Sequence, residues 1–301
     1  MGLRGCIMNS VKGWFGSLIF ITVIANGTVA ISEKDKIVPM KIGNFSLPTS
    51  QQPGPLVGFG QNIVDKGDFQ IFLYGDRFKG IHKSGAEIIP SFLYGITNTL
   101  SLFVQIPVAV KFKFENFVSH GLEDISLQLE GVVYEYNALT KADQITFVAY
   151  MSLPTGSLSK IPSTGYGSPT FFLGFTANHM ACDWYYFLSS GVLLTTPHKK
   201  IKFGNQFLYE CGLSRNICYK VDRFIFNWMI ELDGVYRQRS KFAGVTDANS
   251  GGNDLYFGPS LWFSSQRFIV QGGISWIVAQ HLFGTQLKDT YFASVYLGWK
   301  F

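Results

Sequence analysis

Apolar and polar residues alternate along most of this chain, and this period of two constrains its fold more than any other feature. In TLSLFVQIPVAV (99–110), every even-numbered position from Leu100 to Val110 is apolar, whereas Ser101 and Gln105 lie on the other face. Successive side chains of a β-strand point to opposite faces, so this alternation predicts a strand. The same pattern recurs up to the last residue, Phe301.

About twelve such segments are predicted, separated by turn-like stretches. They cover residues 68–78, 86–95, 99–112, 122–136, 144–154, 169–179, 184–196, 202–213, 222–237, 254–264, 267–280 and 290–301. The connections alternate between short ones, such as 264–266, and long ones, such as 155–168 and 238–253. Transmembrane β-barrels have this arrangement, with short turns at the periplasmic end and long loops outside. The predicted turns 137–143 and 214–221 are longer than this pattern requires.

The composition separates this chain from an ordinary soluble protein. Charged residues make up 15% of it, against roughly 25% in soluble domains, and hydrophobic residues make up 47%. The chain contains 28 Phe and 32 Gly, which suit aromatic-rich strands and tight turns rather than helices. The formal net charge of +5 is scattered, so the sequence offers no basic stripe for nucleic-acid binding.

The first thirty residues have the layout of a secretory signal peptide. Arg4 and Lys12 precede the apolar stretch GWFGSLIFITVIA (13–25), and cleavage is expected after Ala25 or Ala30. The apolar stretch is shorter than the ~20 residues of a membrane-spanning helix. Only helices and closed barrels can span a bilayer, and no apolar run of spanning length follows. An exported, apolar chain of this kind is expected to form an all-β, transmembrane antiparallel up-and-down β-barrel.

Residues 31–67 lack the alternation and contain four prolines. Such a stretch is either a flexible periplasmic linker or a plug that folds inside the lumen and narrows it. The predicted organisation is therefore a signal peptide (1–30), this linker or plug segment (31–67) and an outer-membrane β-barrel (68–301).

The polar faces of the predicted strands would line the barrel lumen. The candidates for contact with a solute are Gln105, Gln128, Glu130, Glu210, Asn227, Glu231, Asp233, Arg237 and Gln271. The aromatic side chains expected on the same inner face are Phe103, Tyr134, Tyr150 and Phe187. Two interpretations stay open. The polar groups either pair with one another to fill a closed lumen or line a narrow channel for a small solute.

Cysteine and histidine residues give no sign of a catalytic or metal site. The cysteines after the signal peptide are Cys182, Cys211 and Cys218. Because the periplasm is oxidising, a Cys211–Cys218 disulfide across the turn 214–221 is one alternative, and unpaired packing residues are the other. No spacing typical of a metal site is present, and no cofactor is expected. His82 and Ser84 have the His-x-Ser spacing of some outer-membrane lipid hydrolases but lack an evident third partner, so no enzymatic activity is predicted.

The stretch AYMSLPTGSLSKIPSTGYGSPTFFLGFTA (149–177) resembles the outer-membrane family named for the meta-pathway of phenol degradation. In that family a strand ending in Leu-Pro-Thr-Gly leads into an outer loop, and Gly-x-Gly-Ser-Pro opens the next strand. The matching residues are Leu153, Pro154, Thr155, Gly156, Gly165, Gly167, Ser168 and Pro169. The resemblance implies an outer-membrane barrel that is suspected of transport and has no catalytic residues.

The last strand resembles the C-terminal signal that the outer-membrane assembly machinery recognises. Leu297, Trp299 and Phe301 share its apolar face. A free strand edge invites aggregation, so this strand is expected to close the barrel. The sequence thus predicts a barrel in the outer membrane of a Gram-negative bacterium that acts as a passive channel for small, hydrophobic or aromatic solutes. The alternative is a non-conducting barrel that mediates surface interaction or adhesion through its outer loops.

Overall fold

The computed structural model describes residues 38–60 and 62–301 of this 301-residue chain. The predicted signal peptide, residues 1–30, lies outside the described residues. No helix in the described part is long and apolar enough to cross a membrane. Helical structure there consists of two short 3-10 turns, Gly43–Phe45 and Thr49–Gln51.

Strands make up most of the described residues. They are β1 (Phe69–Gly80), β2 (Lys83–Thr97), β3 (Leu100–Gln105), β4 (Val108–Phe114), β5 (Phe117–Leu122), β6 (Ile125–Asn137), β7 (Lys141–Leu153), β8 (Thr170–Ala181), β9 (Trp184–Thr195), β10 (Ile201–Lys202), β11 (Gln206–Lys220), β12 (Phe224–Arg237), β13 (Lys241–Phe242), β14 (Val245–Thr246), β15 (Gly252–Ser265), β16 (Phe268–Leu282) and β17 (Asp289–Lys300). The long strands coincide with the stretches in which apolar and polar residues alternate, as a sheet with two unlike faces requires.

Twelve strands of the described chain form a closed antiparallel barrel, which confirms the predicted fold class. Around the ring they are β1, β2, β3, β6, β7, β8, β9, β11, β12, β15, β16 and β17. The last strand pairs back onto the first, from Lys300 opposite Gln70 to Asp289 opposite Gly80. The closing role that was predicted for residues 290–301 is therefore confirmed, and neither β1 nor β17 leaves a free edge.

The connections differ between the two ends of the barrel. At the short-turn end they are residues 98–99, 138–140, 182–183, 221–223 and 266–267. At the long-loop end they include 154–169 and 238–251. The predicted turns 137–143 and 214–221 are too long, because β7 begins earlier and β11 continues further than predicted. In barrels of this class the short turns face the periplasm.

One predicted strand, 99–112, is interrupted. β3 ends at Gln105 and β4 begins at Val108, because Pro107 between them has no N–H to donate to a strand ladder. The unpredicted strand β5 pairs with β4, and β4 pairs with the part of β2 nearest the long-loop end. This hairpin extends the wall beyond the point where β3 ends.

The outward face of the barrel is apolar. On β9, Leu188 is 62% exposed whereas its neighbour Phe187 is buried, and on β17 Leu297 is exposed whereas Tyr296 is buried. The exposed aromatic side chains near the short-turn end include Tyr94, Tyr136, Trp184, Tyr219 and Phe301. An apolar belt with an aromatic rim matches the interior and interface of a bilayer rather than water.

The expectation that Tyr134 points into the lumen is wrong. The register between β6 and β7 shifts between Val132 and Tyr134, which marks a β-bulge. The extra residue turns Tyr134 to the outer face, where it is 51% exposed. Of the other aromatic residues expected inside, Phe103 and Phe187 are buried and Tyr150 is half-buried.

The structure excludes a Cys211–Cys218 disulfide. Both residues lie on β11, seven positions apart, which corresponds to roughly 23 Å along a strand. A disulfide needs Cα atoms within about 7 Å of each other. Cys182, Cys211 and Cys218 are all free thiols.

Candidate functional site

A proline-rich part of the chain lies inside the barrel wall and is called the inserted segment: residues 38–60 and 62–67. It first contacts the turns of the short-turn end. The Asn44 N–H donates to the Cys182 carbonyl oxygen at 2.7 Å, and the Asp222 N–H donates to the Ser46 carbonyl oxygen at 2.9 Å. These contacts connect the segment to two different turns of the wall.

Several hydrogen bonds hold Asn44 at this end. It is fully buried; its Oδ1 accepts from Asn227 Nδ2 at 2.9 Å, and its Nδ2 donates to the Ala181 carbonyl oxygen at 3.0 Å. The preceding Gly43 has a φ of +54°. A Cβ atom at this position would lie 1.9 Å from the Cys182 carbonyl oxygen, so glycine alone fits both the conformation and the space.

Apolar side chains of the inserted segment pack against the inner wall. Phe45 lies in a buried cluster with Met180, Tyr185, Phe187 and Met229. Leu56 and Val64 lie in a second cluster with Phe72, Leu93, Phe103, Trp262, Ile269 and Tyr296. Full burial of one such side chain contributes about 1.5–3 kcal/mol. Apolar packing therefore stabilises the inserted position.

Near the middle of β12, Glu231 binds the backbone of the inserted segment. Its Oε1 accepts from the Leu56 N–H at 2.8 Å, and its Oε2 accepts from the Val57 N–H at 3.2 Å. Glu231 is 3% exposed. Hydrogen bonds to a carboxylate are strong where water is excluded, so Glu231 is a principal attachment of the segment.

Glu130 on β6 binds the part of the segment that returns to the wall. Its Oε2 accepts from the Asn62 N–H at 2.8 Å, and its Oε1 accepts from Asn62 Nδ2 at 2.6 Å and from Gln128 Nε2 at 2.5 Å. Further along, the Val64 N–H donates to Ser101 Oγ at 3.1 Å. The segment then leads into β1.

The predicted lumen residues all lie on the inner side of the wall. Direct hydrogen bonds to the inserted segment come from Glu130, Asn227, Glu231 and Gln271, and Gln128 binds Glu130. Gln105 and Arg237 line cavities instead, and Arg237 forms an ion pair with Asp254. The remaining two, Glu210 and Asp233, are buried.

Glu210 and Asp233 form a buried acidic pair. They lie opposite each other in the β11–β12 register and are 5% and 4% exposed. Within residues 38–60 and 62–301, neither carboxylate oxygen of Asp233 has a hydrogen-bond partner. Burying a carboxylate without a partner destabilises a fold, because the charged group loses its hydration.

We therefore expect Asp233→Asn to stabilise the barrel by about 1–3 kcal/mol. The substitution removes an acidic group that burial and the neighbouring Glu210 disfavour, and it introduces an amide that can donate to Glu210. The measurement is the temperature at which the folded barrel loses its compact migration in gel electrophoresis, which should rise. Asp65→Asn, at an exposed carboxylate, is the control and should leave that temperature unchanged. A lower temperature for Asp233→Asn than for the native chain would contradict the expectation.

At the long-loop end, Asp124 anchors the loop 154–169. Its Oδ1 accepts from the Gly156 N–H at 2.9 Å, and its Oδ2 accepts from the Tyr166 N–H at 2.7 Å. A Cβ atom at Gly165 would lie 2.4 Å from Asp124 Oδ1. Asp124 was not singled out from the sequence, although Gly156 and Gly165 belong to the motif on which the family resemblance depends.

Two cavities lie along the inside of the barrel. The inner cavity, about 540 Å³, follows the inserted segment from Lys41 at the short-turn end to Asp76 on β1. The outer cavity, about 610 Å³, lies under the long loops beside Tyr166, Gln206 and Arg237. Polar and aromatic side chains line both, so each can hold a small molecule or several waters.

No protein-family model matches this chain, and no curated protein matches it. Its structure is similar to solved membrane barrels. An outer membrane channel from Pseudomonas putida F1 matches with a TM-score of 0.70 and 12% identity, over 81% of this chain and 100% of that chain. The NanC porin matches with a TM-score of 0.48 and 9% identity, over 77% of this chain and 100% of that one. The similarity to the Pseudomonas channel establishes the fold, an outer-membrane β-barrel. It supports the family resemblance only in that both are barrels of this kind, and it does not identify the phenol-degradation family.

Proposed function

We propose that this chain is a passive channel for small solutes in the outer membrane of a Gram-negative bacterium, narrowed by its inserted segment. The observation that carries the proposal is the pair of cavities, which together extend from the long loops to the short-turn end. The interior of a twelve-stranded barrel is wider than that of an eight-stranded barrel, which side chains fill, and narrower than that of a sixteen-stranded barrel, which is an open channel. Filling part of its lumen with a chain segment therefore leaves room for a narrow path.

The lining of the cavities favours solutes with an apolar face. The aromatic residues around the inner cavity include Phe72, Tyr74 and Tyr296, and those around the outer cavity include Tyr150, Tyr166 and Phe203. Serine, threonine and glutamine side chains also line both cavities. A mixed lining of this kind accepts small molecules that combine a ring with a polar group.

The direct test is the single-channel conductance of the refolded chain in a planar lipid bilayer. Discrete current steps from the intact chain are expected. Absence of current from both the intact chain and a chain without the inserted segment would refute the channel.

The charges along the cavities predict a preference for cations. Apart from Glu123, the acidic residues of their lining are Asp76, Asp124, Glu135, Asp143 and Asp222, against the basic residues Lys41 and Arg237. An acidic lining attracts cations and repels anions. We expect the reversal potential under a KCl gradient to have the sign of K⁺ selectivity. A potential with the sign of Cl⁻ selectivity would contradict this expectation.

This preference should increase at high pH because of Glu123, in the connection between β5 and β6. Burial, followed by a hydrogen bond with Glu87, raises the pKa of Glu123 to about 9. The carboxyl group is neutral below that pH and becomes negative above it. K⁺ selectivity should therefore strengthen as the pH rises through about 9, and Glu123→Gln should weaken this change while leaving selectivity at neutral pH as it is.

A further inference from the structure

We infer that a solute moves between the outer and inner cavities past the side chain of Gln105. This side chain then sets the largest size of solute that the channel admits. The inference rests on the proposed channel function. Among the described residues, Gln105 is the one residue that lines both cavities. Each of the other lining residues belongs to a single cavity. Gln105 is therefore the point at which the linings of the two cavities meet.

The wall fixes the position of Gln105. It is the last residue of β3 and lies opposite Ser91 of β2 and Ser126 of β6. Its Oε1 accepts from Ser126 Oγ at 3.2 Å. Because both facing residues are small serines, the longer glutamine side chain is the larger obstacle at this level of the wall.

Gln105 also brings a specific chemistry to this position. Its Nε2 has no hydrogen-bond partner in the part of the chain that the structure describes. Phe103, on the same face of β3, lines the inner cavity, and Tyr150 lines the outer one. A neutral donor in a lumen that is also lined by aromatic side chains favours small uncharged solutes that combine an apolar face with a hydrogen-bond acceptor.

Substitutions of Gln105 in the full chain distinguish the effect of its side-chain size on transport from the effect of its hydrogen-bond donor. Gln105→Trp should reduce both KCl conductance and arabinose flux into liposomes to near background. Gln105→Ala should raise both. Gln105→Leu keeps a side chain of similar volume without the donor, so it should slow the flux of phenyl β-glucoside severalfold and change KCl conductance little.

Gln206 supplies the matched control. It lines the outer cavity alone, where its Nε2 donates to Tyr166 Oη at 3.1 Å. Gln206→Trp adds the same bulk away from the junction and should reduce conductance far less than Gln105→Trp. The folded state of every variant is verified by its heat-dependent migration in gel electrophoresis. If Gln105→Trp does not fold, the rise expected for Gln105→Ala carries the test.

The outcomes distinguish this inference from the function on which it rests. If the intact chain conducts but substitutions at Gln105 and Gln206 have equal effects, the role of Gln105 is refuted and the channel stands. If current appears only after the inserted segment is removed, the channel stands with that segment as a complete plug, and the role of Gln105 is again refuted. If neither chain conducts, both proposals fail.

Discussion

Removal of residues 38–64 is expected to raise the single-channel conductance of the barrel severalfold. These residues fill part of the lumen from the short-turn end to the middle of β12, where Leu56 and Val57 bind Glu231. Without them, the inner part of the lumen is bounded by the wall strands alone. The measurement is the amplitude of current steps in a planar bilayer, compared between the intact and the shortened chain.

This deletion requires a check that the barrel still folds and a control deletion elsewhere in the chain. Leu56 and Val64 belong to a buried cluster, so the shortened chain loses some stability, and its barrel must be verified by heat-dependent migration. A deletion of residues 241–246, which contain β13 and β14 and line neither cavity, should leave the current amplitude unchanged. Equal amplitudes from all three chains would show that the inserted segment does not limit the current. Silence from all of them would favour the non-conducting barrel that acts through its outer loops.

Glu231→Ala is expected to make openings of the larger amplitude far more frequent in the full chain. The substitution removes the acceptor of two backbone N–H groups, the buried one of Leu56 and the partly buried one of Val57. Each hydrogen bond to a charged group contributes about 1.5–3 kcal/mol, so their loss shifts the balance between inserted and released segment by roughly a hundredfold or more. The measurement is the fraction of time spent at the amplitude that the shortened chain defines.

Asp76→Ala is the matched control for this experiment. Asp76 also lies in the lumen, but its carboxylate accepts from Ser294 Oγ at 2.6 Å, on a neighbouring strand rather than on the inserted segment. It lines the inner cavity, so its loss should change the selectivity of the current and not the frequency of large openings. If Asp76→Ala and Glu231→Ala increased that frequency equally, binding of the segment by Glu231 would be ruled out as the cause.

The barrel itself could be predicted from the sequence because each strand carries its own signal. Alternation with period two specifies which residues face the lipid and which face the lumen, as it does for Trp228 and Asn227 on β12. This alternation is contained in the sequence of each strand, so it can be read without knowing where the strand lies in the barrel. The scarcity of charged residues then identifies the surroundings of the outer face as apolar.

The pattern within one strand did not predict strand ends or side-chain faces that depend on the neighbouring strand. The stretch 214–221 contains Ser214, Asn216 and charged residues that are typical of turns. Residues 214–220 nevertheless continue β11, because β12 offers pairing partners up to Phe224, which lies opposite Lys220. At Tyr134, a bulge against β7 reverses the face that alternation assigns. Both cases depend on the neighbouring strand, which a pattern within one strand does not contain.

The inserted segment shows most clearly what only the tertiary structure decided. Its sequence has no periodicity, and both a linker and a plug agreed with its prolines. Its path depends on hydrogen bonds to side chains far away in sequence, with Leu56 bound to Glu231 and Asn62 bound to Glu130. The sequence by itself determined a closed, lipid-facing wall, because alternation is a property of each strand. The tertiary structure alone decided what occupies the lumen, because that depends on which groups of the finished wall meet the backbone of this segment.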